Sequence, residues 1–227
     1  MNYLAHYYID HSDNRPHFTL GLVLPDLVRN FKRQYRIKPL HISDMEVNSL
    51  LLHLNQGVQR HFFADKVFHS SVFFDRHYSL LKKRIQTSDF NGINKYSYFV
   101  AHVFLEMLID RILISQNPFL GSNFYKAIEN TDEELISIYI QKTCDLGVEQ
   151  VQQFLTHLDM FCKSQYLLQY RHNDGFIFGL QRMYQRYVPT VFTESDKEKL
   201  VNLIEEFESI VSNDLEDLFS KNGIFYP

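Results

Sequence analysis

Apolar residues along this chain recur at spacings of three and four, the period of an α-helix, and strand-like alternation is hard to find. Val47, Leu50, Leu51, Leu54 and Val58 predict one helix. The capping box Ser43-Asp44-Met45-Glu46 opens it, and it is expected to reach about His61. A break is expected near Phe63, where aromatic residues lower helix propensity. Ser70 or Ser71 starts the next helix, through Phe73, Leu81 and Ile85, and Gly92 marks a turn. Tyr96 to Ile114 is apolar nearly all round, as expected of a central, buried helix. Thr131 to Glu134 caps a helix reaching about Thr143, and Gly147 starts another through Phe161. One more spans about Phe176 to Tyr187, and Thr193-Glu194-Ser195-Asp196 opens the last. Tyr3 to Ile9 and Leu20 to Phe31 are further candidates, the second interrupted near Pro25. The expectation is an all-α fold, a single multi-helix domain over residues 1–227 with no repeat or linker.

Composition changes this picture little. The 20 Phe and 14 Tyr predict a core filled with rings. Cys144 and Cys162 are the two cysteines, in no disulfide or metal spacing, so a reducing, cytoplasmic setting is expected. There is no run of apolar residues long enough for a membrane span, and no signal-peptide pattern at Met1 to His6. A net charge of −4 argues against a general nucleic-acid binder. The charge is uneven, however. Arg29, Lys32, Arg33, Arg36 and Lys38 form a basic stretch without an acid, suited to phosphate or an acidic partner, or simply a solvated face.

Candidate chemistry lies in histidines and carboxylates. His61, Asp65 and His69 form an HxxxDxxxH pattern, and His102, Glu106 and Asp110 an HxxxExxxD pattern. Four residues advance a helix by only about 40° beyond a full turn, so each triplet lines one face. Imidazole nitrogen with carboxylate oxygen suits Mn²⁺, Fe²⁺ or Zn²⁺. The second triplet lies on the most apolar helix, where an unpaired carboxylate costs several kcal/mol or more. A metal shared with His61, Asp65 or His69 would compensate it, and so would a buried ion-pair network. His6 could point inward, and Asp26, after Pro25, reads as a helix-start device. There is no Gly-rich phosphate loop and no GxSxG elbow, which leaves metal-assisted hydrolysis as the best enzyme class.

At these residues the chain resembles the acyl carrier protein phosphodiesterases. Met1-Asn2-Tyr3-Leu4-Ala5-His6 is similar to their MN(F/Y)LAH opening, and Gly21 to Arg29, with Asp26, to their GN-x-x-x-DFVRG-like segment. Gly57, His61 and Asp65 match a G(I/V)xxHRxID segment, and a DxxxDH motif falls on His102, Glu106 and Met107. The chain departs at Phe62, where the family has Arg, and across Phe68 to Val72, where it has TDxHP. Acid and imidazole positions have exchanged at His102 and Glu106, which keeps a ligating set while changing its charge.

The resemblance implies a helical fold distantly like the HD phosphohydrolases and a Mn²⁺-dependent phosphodiesterase. Its reaction would release 4′-phosphopantetheine from holo acyl carrier protein. It implies His61, Asp65, His102 and Glu106 as first ligands, with Asp26, His69 and Asp110 next and His6 at or beside the metal. Asp65 and His69 would act in catalysis, and Arg29, Arg33 and Arg60 would receive the substrate. The alternatives are hydrolysis of a nucleotide or lipid phosphodiester, and a non-catalytic helical interaction protein whose triplets are structural ion pairs.

Overall fold

In a computed structural model, residues 1–10, 15–41, 49–93 and 95–221 are described. The expected capping box at Ser43 to Glu46 lies outside them. The described chain is all-α: eleven α-helices, one 3₁₀ helix and no strand. The helices are α1 (Tyr3–Asp10), α2 (Pro16–Gly21), α3 (Leu24–Phe31), α4 (Ser49–His69), α5 (Val72–Thr87) and α6 (Ser97–Gln116). They continue with α7 (Leu120–Glu129), α8 (Glu133–Cys144), α9 (Val148–Ser164), the 3₁₀ helix Tyr166–Arg171, α10 (Asn173–Gln185) and α11 (Glu194–Lys221). No helix among the described residues is long and apolar enough to cross a membrane.

Local chemistry sets several helix starts. Ser71 caps α5, its Oγ accepting from Phe74 N at 3.0 Å. The Asp132 carboxylate caps α8 by accepting from Glu134 N and Leu135 N. Thr193 and Asp196 cap α11 reciprocally: Asp196 N donates to Thr193 Oγ1, and Thr193 N to Asp196 Oδ2. Two expectations shift. Helix α4 runs unbroken to His69, because Ala64 and Phe68 are fully buried while Phe62 and Phe63 face solvent; burial of one stripe outweighs the small propensity cost of aromatics. The break between α2 and α3 falls at Leu22-Val23, not at Pro25, which occupies the first turn of α3, where a missing N–H costs nothing. Helix α7 is additional to the expected set; its Leu120, Phe124, Tyr125 and Ile128 are buried at helical spacing.

Tertiary contacts divide the chain into two compact units, each built from separate stretches. One comprises Met1–Ala5, Lys66–Pro118 and the chain from Tyr166 onward. Helix α6 is its centre, packed by α5, the 3₁₀ helix, α10 and α11, and Phe104 meets Phe176 edge-on. The other comprises His6–Asp65 and Phe119–Gln165. There α2 packs on α7, and α3, α7 and α8 pack on α9. A buried polar knot closes this core: Tyr139 donates to Asn55 Oδ1 at 2.8 Å, and Asn55 exchanges two bonds with the Leu40 backbone.

Within the second unit the end of α2 meets α4 at backbone contact. A Cβ on Gly57 would stand 2.2 Å from Phe18 O and 2.9 Å from Gly21 Cα, and one on Gly21 would stand 2.2 Å from Leu54 O. Only two glycines permit this approach, and it brings the carbonyl of Leu22 within reach of α4.

Candidate metal centre

The two sequence triplets do not stay intact. The structure gathers their members into two different groups, one in each unit. His6, His61 and Asp65 form the first, their ligand atoms all within 4.8 Å of one another. His69, His102 and Glu106 form the second, to the same measure.

The first group belongs to the unit of His6–Asp65 and Phe119–Gln165. Four-residue spacing on α4 puts His61 and Asp65 on one face, and α1 supplies His6. His61 Nδ1 lies 2.8 Å from Leu22 O, a carbonyl that can only accept, so Nδ1 carries a proton and Nε2 is the ring nitrogen that can ligate. The rings of His6 and His61 stack at 4.2 Å. His6 is fully buried, and neither of its ring nitrogens makes a hydrogen bond of acceptable geometry. Its Nε2 approaches Asp65 Oδ1 to 3.2 Å, off the line such a bond requires. His61 Nε2 stands 3.7 Å from Asp65 Oδ2.

Burial, reinforced by His61, depresses the His6 pKa to about 3, so the ring is neutral, the form that ligates metals. Burial pushes the Asp65 carboxyl up, but nearby positive charge and the approach of His6 outweigh it and hold the group ionised. A neutral His6, the His61 ring and an ionised Asp65 therefore converge, each offering one ligand atom. Asp65 keeps about a third of its side chain in contact with solvent, at 29%, so the group is buried on its histidine side and open on its acid side.

The other expected site residues take separate places. Asp110 accepts from Leu4 N at 3.2 Å and Ala5 N at 2.8 Å, the orphan amides at the start of α1. It caps that helix from α6 and stands outside both ligand groups. Burial raises its carboxyl to about 8 against the pull of those two amides. Asp26 lies in the first turn of α3, half-buried, where an acid favours the helix dipole, and also outside both groups. Arg60, expected to meet substrate, is instead 4% exposed and paired with the Asp10 carboxylate, since the interior face of α4 holds it. Arg29 and Arg33 are exposed, in the unit that holds His6, His61 and Asp65. The basic partners imagined for Glu106 and Asp110 are not there: among the described residues no Lys or Arg pairs with either, and Arg111 turns to Glu208 and the Tyr170 carbonyl. Sequence reasoning had no sight of the Leu22 carbonyl. The signal was the glycine pair Gly21 and Gly57, which marks a close backbone approach beside His61.

No protein family, curated protein or solved structure matches the chain.

Proposed function

We propose that this protein is a divalent-metal-dependent phosphodiester hydrolase whose metal is held by His6, His61 and Asp65. One observation carries the reading: His6, His61 and Asp65 bring three ligand atoms within 4.8 Å of one another, and the Leu22 carbonyl holds His61 Nδ1 so that Nε2 is turned toward Asp65. The donor set suits Mn²⁺, Fe²⁺ or Zn²⁺, with Mn²⁺ first in view of the family resemblance. A divalent ion there supplies the Lewis acidity that phosphodiester cleavage needs. The chain's own part is orientation. Buried His6 and tethered His61 fix two donors, and Asp65 sits at the solvent side, where a phosphate would arrive. Exposed Arg29 and Arg33 in the same unit offer positive charge to a phosphate or an acidic carrier domain.

The first substrate to try is holo acyl carrier protein, with 4′-phosphopantetheine as the product. Protein purified without chelator is analysed for Mn, Fe and Zn, then incubated with holo carrier protein and Mn²⁺, and the carrier is weighed by mass spectrometry. Loss of the pantetheine arm, abolished by Asp65→Asn and by chelation, is the expected result. Turnover of a generic aryl phosphodiester without loss of the arm would keep the hydrolase and replace the substrate. Protein that holds no metal, and whose melting point does not move on adding Mn²⁺, Fe²⁺ or Zn²⁺, would sink the hydrolase altogether.

A further inference from the structure

The second group brings its three ligand atoms closer together than the first. His69 Nε2 and His102 Nε2 are 3.1 Å apart, and Glu106 Oε1 is 3.3 Å from the first and 3.0 Å from the second. Three polar atoms thus form a nearly equilateral triangle. Met1 N stands 3.1 Å from the same Glu106 Oε1.

An ion at the centre would meet one ligand atom from each of the three side chains. Ligands about 2.1 Å from a zinc-like ion stand about 3.4 Å apart in tetrahedral geometry and about 3.0 Å apart at right angles. The observed edges span that interval. Aromatic walls hold the rings in place: His69 packs edge-on against Phe68 and Phe74, and His102 against Phe74 and Tyr78. His69 and His102 remain about one-third exposed, which leaves an entry path.

We infer that His69, His102 and Glu106 form a second metal site, for a zinc-class divalent ion, independent of the His6–His61–Asp65 group. Two imidazoles among three ligands favour Zn²⁺, Co²⁺ or Ni²⁺ over Mg²⁺ or Ca²⁺. The ion ties the last residue of α4 to α6 within the unit that both share, with α5 lying between them in sequence.

Cobalt(II) titration of the chelator-stripped full chain tests this, read by visible absorbance and by bound metal after dialysis. Three variants are compared: His6→Ala, the double variant His69→Ala/His102→Ala, and Glu106→Gln. The His6→Ala variant is expected to retain one equivalent, and the double variant to lose that equivalent. Glu106→Gln, which preserves shape, is expected to weaken the retained equivalent by about tenfold or more with an unchanged far-ultraviolet spectrum. A His6→Ala protein that binds no cobalt would overturn the inference, as would a double variant that binds as much as the parent. The hydrolase reading fails separately: a double variant without cobalt beside a His6→Ala variant with one equivalent removes the first site and leaves the second standing.

Discussion

Substituting Gly57 by alanine separates two opposite expectations. In an exposed helix interior, Gly→Ala stabilises by about 1 kcal/mol, because alanine loses less backbone entropy. At position 57 the new methyl would stand 2.2 Å from Phe18 O and 2.9 Å from Gly21 Cα. Ordinary contacts are about 3.5 Å, so backbone must move by roughly 1 Å. The neighbours are main-chain atoms, not the tips of side chains, and Phe18 O already accepts from Leu22 N at 3.0 Å. Overpacking of this kind costs about 1–3 kcal/mol. The expected net change is a loss of up to about 2 kcal/mol, which for a chain of this size lowers the melting point by up to about 8 °C. The same shift carries Leu22 away from His61. A 2.8 Å bond lengthened by about 1 Å is no longer a bond, and losing such a support weakens metal binding by about 10–100-fold. Thermal melts with and without Mn²⁺, together with a metal titration, measure both effects. A Gly57→Ala protein as stable as the parent, binding metal as tightly, would refute the role given to the glycine contact.

Other consequences can be checked in the same way. Asp110→Ala leaves the buried amides of Leu4 and Ala5 without an acceptor and is expected to cost about 2–4 kcal/mol in urea unfolding. Ser71→Ala removes a single cap and should cost about 1 kcal/mol, read as a shift of the urea midpoint with unchanged slope. Asp196 accepts from Asn91 N, Gly92 N and Thr193 N, and those bonds outweigh burial and depress its pKa in the folded chain. Its stabilisation is therefore complete above the ordinary carboxylate value of 3.8 and is lost as pH falls through the lower folded value. Asp196→Asn should be less stable at neutral pH by about 1–3 kcal/mol, with a gap to the parent that narrows below pH 4; a gap constant with pH would contradict the assignment.

What was legible in the sequence follows the range of the interactions involved. Caps act over three residues, so the starts at Ser70 or Ser71, at Thr131 to Glu134 and at Thr193 to Asp196 could be read from their neighbours alone, and the uniform apolarity of α6 announced its burial. Helix α4 was foreseen only in part, because its length depends on what Ala64 and Phe68 pack against. The ligand sets were half legible. Spacing by four shows which residues share a helix face, but not which partner each finds there. Thus His61 and Asp65 turned to His6, His69 joined His102 and Glu106, and Asp110 left to cap α1. The buried carboxylates of α6 did need compensation, as the apolar helix implied. It came from the Met1 ammonium, from histidines and from main-chain N–H groups rather than from Lys or Arg among the described residues.

The interleaving of the two units constrains how the protein can be made and dissected. Neither unit is a continuous stretch of sequence. During synthesis the unit begun at His6 cannot close until the ribosome has passed Gln165, and the unit begun at Met1 waits for α11. Much of the chain must emerge before either core can be buried. For the same reason any single truncation point deprives at least one unit of a segment, and the two cannot be separated as contiguous fragments. Assigning a metal or an activity to one of them therefore requires point substitutions in the intact chain.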